Sequence, residues 1–155
     1  MSDWKVMLIV AFHKNQIIAF QFLGKSKTVD HNVYKDFLAN RLQPEVRRQR
    51  IHRPLILHDN ARPHKHKDIT DFFNLHRWGV LRHPPYSPDL SPPDFDGIAR
   101  IKRPHKGTRY ATEAELISAY TDTIYEINRK NEATGISHLP WRWDMVIQSE
   151  GEYIV

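Results

Sequence analysis

Two aspartates lie in sequence blocks that suit them to holding a divalent metal ion. Asp59 follows the apolar run Pro54–Leu57, which predicts a short buried strand, and lies within the block His58–His64, which reads HDNARPH. Asp94 follows a stiff loop with five prolines, from His83 to Pro93, and opens a predicted helix. Thirty-four residues lie between the two aspartates. Because carboxylate oxygens are the ligands that Mg²⁺ prefers, this pattern predicts a metal site on two rigid supports.

Three histidines near Asp59, namely His58, His64 and His66, suggest a different kind of metal site. His64 and His66 are two residues apart, and this spacing places side chains on different faces of a helix. A dedicated zinc site made of these three histidines is therefore disfavoured. His64 is instead expected to orient the Asp59 carboxylate or to form a hydrogen bond near it.

The start of the chain has the pattern of a strand hairpin. Trp4–Phe12 and Ile17–Leu23 are apolar runs rich in β-branched residues, and the first is expected to be covered on both faces. The polar break His13–Gln16 has the length of a hairpin turn, with Asn15 able to adopt a left-handed conformation. A helix is then predicted from Thr28, capped by Thr28 or Asp30 and ended by Pro44.

The later elements alternate between helices and one short strand. A helix is predicted from Lys65 to His76, followed by a strand at Gly79–Arg82. Thr112 begins a capping box that opens a helix running to about Arg129, and Trp143 is expected to pack in the core. With the helix at Asp94, the predicted order is β-β-α-β-α-β-α-α.

Composition favours one globular domain with an anionic partner. The chain has 155 residues, a net charge of +5, a pI of about 9.5 and no cysteine, which excludes a disulfide scaffold and a thiolate zinc site. No run of 18 apolar residues and no signal peptide is present, so no membrane partner is expected. A basic cluster is either a phosphate-binding surface or a solvated one. The candidate phosphate-binding residues are Arg47, Arg48, Arg50, Arg62, Arg100, Lys102, Arg103, Lys106 and Arg109.

The two aspartate blocks, their order and their spacing resemble the catalytic core of mariner-family transposases. The resemblance implies an α/β, ribonuclease-H-like fold, in which helices flank a mixed sheet. It also implies that Asp59 and Asp94 bind the catalytic Mg²⁺ or Mn²⁺ and that the partner is DNA. Without a membrane span or a signal peptide, a nuclear or cytoplasmic location is the default, and the nucleus is expected for a DNA partner. By the same match Asp89 and Asp96 are not metal ligands. Gly107–Tyr110 is similar to the family's Gly-x-Arg-Phe sequence.

Mariner transposases also have segments for which this sequence shows no counterpart. The family has two helix-turn-helix modules and then a strand that carries the first catalytic aspartate and is central in the sheet. Residues 1–155 are therefore expected to be a single partial catalytic domain without the modules and without this strand. Asp59 and Asp94 are expected to hold one Mg²⁺ weakly, which would impair catalysis. An exposed sheet edge favours pairing with a second chain, as a homodimer or an aggregate.

Three functions remain compatible with these observations. The chain is a mariner-type transposase catalytic domain, or it is a domesticated non-catalytic DNA-binding or chromatin-associated module. The third alternative is a structural or interaction protein in which the two aspartates are inherited from an ancestor and have no function. Metal-dependent nicking of DNA distinguishes the first function from the others. Salt-sensitive binding to duplex DNA distinguishes the second from the third.

Overall fold

The computed structural model describes residues 5–24, 27–58, 62–81, 87 and 90–148, and for Arg62 the backbone only. Asp59 lies outside these ranges, as do Trp4, Arg82, Asp89 and most of the proline-rich loop, so the predictions for them remain predictions. The chain forms two compact units. One comprises Met1–Ala11 with Ile18–Pro85, and the other comprises Phe12–Ile17 with Tyr86–Val155. No helix in the described ranges is long and apolar enough to cross a membrane.

The predicted hairpin is present, as strand β1 at Met7–His13 and strand β2 at Gln16–Leu23. Its turn places Lys14 in the left-handed region, with φ 54°, so the assignment of that conformation to Asn15 was wrong. The expectation that β1 is covered on both faces was also wrong, because none of its residues is fully buried and Met7 is 44% exposed. Among the described residues β2 is the one strand that pairs with β1, so the other edge of β1 has no hydrogen-bonded strand beside it.

The predicted helix after the hairpin begins where expected and ends later. Helix α1 spans His31–Phe37, and the Asp30 side chain caps it by accepting a hydrogen bond of 2.9 Å from the backbone N–H of Val33. The prediction that Pro44 ends the helix was wrong. A wider π-helical segment, Leu38–Leu42, leads directly into helix α2 at Gln43–Arg48. Pro44 lies in the first turn of α2 after this widened segment, where its missing N–H costs little.

The first unit also contains a small parallel sheet beside a helix. Strand β3 at Leu55–Ile56 pairs with strand β4 at Gly79–Val80, and helix α3 spans Lys67–His76 after a 3₁₀ turn at Arg62–Lys65. The expected burial of the first of these strands was wrong, because it has two residues and Leu55 is 63% exposed. In the described residues the β1–β2 and β3–β4 pairs are separate sheets.

One hydrophobic core joins the elements of the first unit. Ten buried side chains from these elements form one cluster. Full burial of a large apolar side chain contributes about 1.5–3 kcal/mol, so this cluster fixes α1 firmly against α3. The prediction that α3 turns Ile69, Phe72 and Phe73 inward was confirmed. The buried members of the cluster are Ala19, Tyr34, Phe37, Leu38, Leu42, Val46, Ile69, Phe72, Phe73 and Trp78.

The second unit is helical apart from the hairpin end. Its described elements are a π-helical segment at Pro93–Gly97, helix α4 at Ile98–Lys102, 3₁₀ turns at Arg103–His105 and Ile136–His138, helix α5 at Glu113–Arg129, and helix α6 at Leu139–Gln148. The predicted helical turn at Asp94 was confirmed. The predicted cap of α5 was confirmed too, since the Thr112 hydroxyl accepts a hydrogen bond of 3.1 Å from the N–H of Glu115. Helix α6 was not predicted, and Trp143 on it is 38% exposed, so its assignment to the core was wrong.

The turn that carries Asp94 is packed tightly against the hairpin end at Gly97. A Cβ added to Gly97 would overlap the ring of Phe12. We therefore expect Gly97→Ala to lower the free energy of unfolding by about 1–3 kcal/mol, as measured by urea denaturation. The Phe12→Leu background provides the control, because a smaller side chain relieves the overlap. An equal loss in both backgrounds would contradict this explanation.

Candidate active site and nucleic-acid surface

Tyr34 of α1 brings together the two histidines that bracket the Asp59 block. The Tyr34 hydroxyl lies 2.8 Å from His58 Nδ1, and the Tyr34 ring lies 4.3 Å from the ring of His64. The rings of His58 and His64 stack on one another, with centroids 4.7 Å apart and an interplanar angle of 8°. Because Tyr34 itself is buried, the two ends of the block that contains Asp59 are held on a rigid base. The role of His64 toward the Asp59 carboxylate remains a prediction.

Asp94 has the properties of a metal ligand. It lies in the first turn of the segment Pro93–Gly97, where its backbone N–H donates to the carbonyl of Ser91 at 2.9 Å. Its side chain is exposed, and no side chain among the described residues donates a hydrogen bond to the carboxylate. A hard oxygen donor on a fixed backbone fits Mg²⁺ or Mn²⁺, which retains water at its remaining positions.

The residues next to Asp94 are engaged in structural contacts. Asp96 is 14% exposed and accepts a hydrogen bond of 2.7 Å from Arg100, so its charge is already compensated. The Arg142 guanidinium lies 3.9 Å from the ring centroid of Phe95, a cation–π contact. A Cβ on buried Gly135 would lie 2.9 Å from Cβ of Asp96, so the chain passes close to this turn. These contacts fix the turn, and the Asp94 carboxylate is exposed on it.

A basic cavity lies at the end of α4 in the second unit. Its volume is about 500 Å³, and three of the six residues that line it are cationic. The lining residues are Ala99, Lys102, Arg103, His105, Lys106 and Tyr120. The side chains of all three cations are exposed, and such a group can hold a phosphate with charge-assisted hydrogen bonds.

His105 forms a neutral wall of the basic cavity. Thr123 donates its hydroxyl hydrogen to the carbonyl of Ala119 at 3.1 Å, so its oxygen accepts from Nε2–H of His105 at 2.6 Å. Nδ1 of His105 therefore accepts from the hydroxyl of Tyr110. Burial lowers the pKa of His105, which favours this uncharged tautomer. The ring also stacks on Tyr120 at 4.0 Å, so it serves to position the wall and not to add charge.

The other predicted phosphate-binding residues differ in their surroundings. Arg48 donates to the carboxylate of Glu45 at 2.7 Å, and this hydrogen bond lowers the pKa of Glu45. Arg100 is the partner of Asp96, as described above. Arg47 is exposed in the last turn of α2, and Arg50 is exposed just after this helix. Arg109 is exposed, and the backbone of Arg62 lies in the 3₁₀ turn that begins within the Asp59 block.

Comparison with known proteins assigns the family. Residues 2–115 match the sequence profile of the DDE superfamily endonucleases. The chain belongs to this family. Its similarity to a mariner protein is equally clear, since it is 30% identical over 156 residues to the mariner Mos1 transposase of Drosophila mauritiana. That match covers 97% of this chain and 45% of the relative.

A second relative and a solved structure support the same assignment for this DDE family member. The chain is 29% identical over 153 residues to the human histone-lysine N-methyltransferase SETMAR. This match covers 96% of this chain and 22% of the relative. The crystal structure of the Mos1 catalytic domain superposes with a TM-score of 0.88 at 27% identity, covering 99% of this chain and 82% of that one. The predicted ribonuclease-H-like fold and the mariner resemblance are confirmed. The chain spans less than half the length of the two curated relatives.

Proposed function

We propose that this DDE family chain carries part of the catalytic centre of a mariner-type DNA transposase, with Asp59 and Asp94 as ligands of Mg²⁺ or Mn²⁺. The exposed carboxylate of Asp94, on a turn whose other carboxylate pairs with Arg100, carries the proposal. Structures of the Mos1 catalytic domain with Mg and with Mn support the choice of metal. The spacing and the block around Asp59 support its role as the second ligand.

The proposed chemistry is cleavage and transfer of DNA phosphodiester bonds. A divalent ion supplies the polarisation of the phosphate and the activation of water at such a centre. The task of Asp94 and Asp59 is to hold this charge, and Asp94 does so from the first turn of the segment Pro93–Gly97. The stacked histidines and Tyr34 restrain the ends of the Asp59 block, while the basic cavity holds DNA phosphates through Lys102, Arg103 and Lys106.

DNA in the nucleus is the proposed partner and location. The solved Mos1 structures include a paired-end complex with Mn, which supports DNA as the partner. It also favours a homodimer, since a complex of paired ends engages two DNA ends. The net charge of +5 agrees with an anionic partner of this kind.

Nicking of a supercoiled plasmid by the purified full chain tests the catalytic proposal. We expect nicking in Mg²⁺ or Mn²⁺ that EDTA abolishes. The nicking should be slow, because two carboxylates can position one metal ion but position a second ion poorly. Absence of nicking by folded protein in either metal would contradict the proposed activity.

A second candidate function is a non-catalytic DNA-binding or chromatin-associated module. The similarity to SETMAR favours it, because the matched region is 22% of a protein named for a different activity. Salt-sensitive binding to duplex DNA without nicking would support this candidate. If the folded chain neither binds nor nicks DNA, both candidate functions are excluded.

A further inference from the structure

His31, His66 and Asp68 bring two imidazoles and one carboxylate together in the first unit. The two imidazole rings stack with centroids 3.6 Å apart and an interplanar angle of 2°. Oδ2 of Asp68 lies 4.0 Å from His31 Nε2 and 3.8 Å from His66 Nδ1. One ligand atom from each residue lies within 4.8 Å of the other two. This cluster unites residues that are up to 37 positions apart in the sequence.

The backbone positions of the three residues are fixed by the fold. His31 is the first residue of α1, directly after the capping residue Asp30. His66 caps α3, since its Nδ1 accepts a hydrogen bond of 3.1 Å from the N–H of Asp68. Because α1 and α3 share one hydrophobic core, the distance between the two helix starts is set before any ligand binds.

We propose that this cluster is a binding site for Zn²⁺. Two imidazoles and one carboxylate with an open position for water are a known donor set for Zn²⁺. Metal bonds of 2.0–2.1 Å require tetrahedral donor atoms to lie about 3.3 Å apart. The separations of 4.0 Å and 3.8 Å to Asp68 therefore need to contract by about 0.7 Å and 0.5 Å, and the two parallel rings need to rotate so that each ring plane contains the ion. The side chains of His31, His66 and Asp68 are 33%, 41% and 44% exposed, so they have room to rotate and the ion has a path from solvent.

Zinc binding at this site competes with one existing interaction. In a neutral imidazole only one ring nitrogen has a free lone pair, so Nδ1 of His66 either caps α3 or binds the metal. The positive ends of two helix dipoles also oppose a cation here, and the Asp68 carboxylate offsets them. We therefore expect weaker binding than at a closed four-ligand zinc site.

The proposed zinc site is separate in chemistry from the Asp59 and Asp94 site. Magnesium prefers oxygen ligands, whereas zinc accepts the imidazoles of His31 and His66. Bound zinc would connect the start of α3 to the start of α1. Its ligand His66 lies two residues after the end of the block His58–His64. The bound zinc ion would stabilise the first unit by cross-linking the two helix starts. This structural role does not depend on DNA cleavage.

Calorimetric titration of the full chain with Zn²⁺, in excess Mg²⁺ to occupy oxygen-only sites, tests the inference. We expect one zinc ion per chain, and at least about tenfold weaker binding in each of His31→Gln, His66→Asn and Asp68→Asn, since each loses a direct ligand. Asparagine at position 66 retains the ability to cap α3, so this variant separates metal loss from misfolding. Far-ultraviolet circular dichroism verifies that each variant is folded.

His52→Gln is the matched control, because His52 is exposed and lies outside the cluster. We expect it to bind zinc as the unchanged chain does, and we expect zinc to raise the melting temperature of both. Zinc binding that is unaltered in all three folded cluster variants would overturn the proposal. Failure of the unchanged chain to bind zinc would overturn it too, and neither result would bear on plasmid nicking.

Discussion

Replacing Asp94 by Asn is expected to reduce metal-dependent plasmid nicking at least about a hundredfold, and Asp59→Asn is expected to do the same. Even loss of an outer partner of a metal ligand costs about 10–100-fold, so loss of a direct ligand should exceed that range. The amide keeps the shape of the side chain and removes its charge. The rate of conversion of supercoiled to open-circular plasmid in Mg²⁺ and in Mn²⁺ measures the effect.

Asp96→Asn is the matched control for this experiment. It makes the same chemical change two residues away, at a carboxylate that pairs with Arg100 at 2.7 Å. We expect it to retain most of the nicking rate in protein shown to be folded. Equal losses in Asp94→Asn and Asp96→Asn would indicate disruption of the shared turn and not loss of a ligand.

The double variant Lys102→Gln with Arg103→Gln is expected to weaken binding to duplex DNA at least about tenfold at 0.1 M salt. Each phosphate contact contributes about 0.9 to the slope of log K against log salt concentration, so this slope should fall in magnitude by roughly 2. The effect should be uniform across DNA sequences, because phosphates carry no base information. Fluorescence anisotropy at several salt concentrations measures both quantities.

A second double variant controls for net charge. Arg129→Gln with Lys130→Gln removes the same two charges from the end of α5, where both residues pair with Glu126. This pairing lowers the pKa of Glu126 to about 2, mainly through the hydrogen bond from Arg129. We expect the control to bind DNA nearly as the unchanged chain does. Equal weakening by the two double variants would show that total charge, and not the basic cavity, governs binding.

Local signals in the sequence predicted the elements whose stability is local. The cap at Asp30, the cap at Thr112 and the hairpin before Leu23 each depend on neighbouring residues, and all three were predicted. Two helical segments, α2 and α6, were not predicted, and the first was missed because proline often ends a helix. Pro44 follows a widened turn and Pro140 lies in the first turn of α6, where in each case the missing N–H costs little.

Features that depend on distant residues could not be predicted from the sequence. Strand β3 is limited to the two residues that pair with Gly79–Val80, and Leu55 is exposed although it lies in the apolar run. Tyr34 was missed as a site residue, although its place on the inward face of α1 was a signal for burial. The stacked pair of His31 and His66 could not be predicted, because the two residues lie 35 positions apart in the sequence.

Binding of Mn²⁺, followed by the loss of its free electron paramagnetic resonance signal, tests the central claim most directly. The claim is that Asp59 and Asp94 hold a divalent metal, and this measurement does not require turnover. We predict one weakly bound Mn²⁺ per chain that Mg²⁺ displaces and that is lost in Asp59→Asn and in Asp94→Asn but retained in Asp96→Asn. Binding that is unchanged by the first two substitutions would contradict the claim.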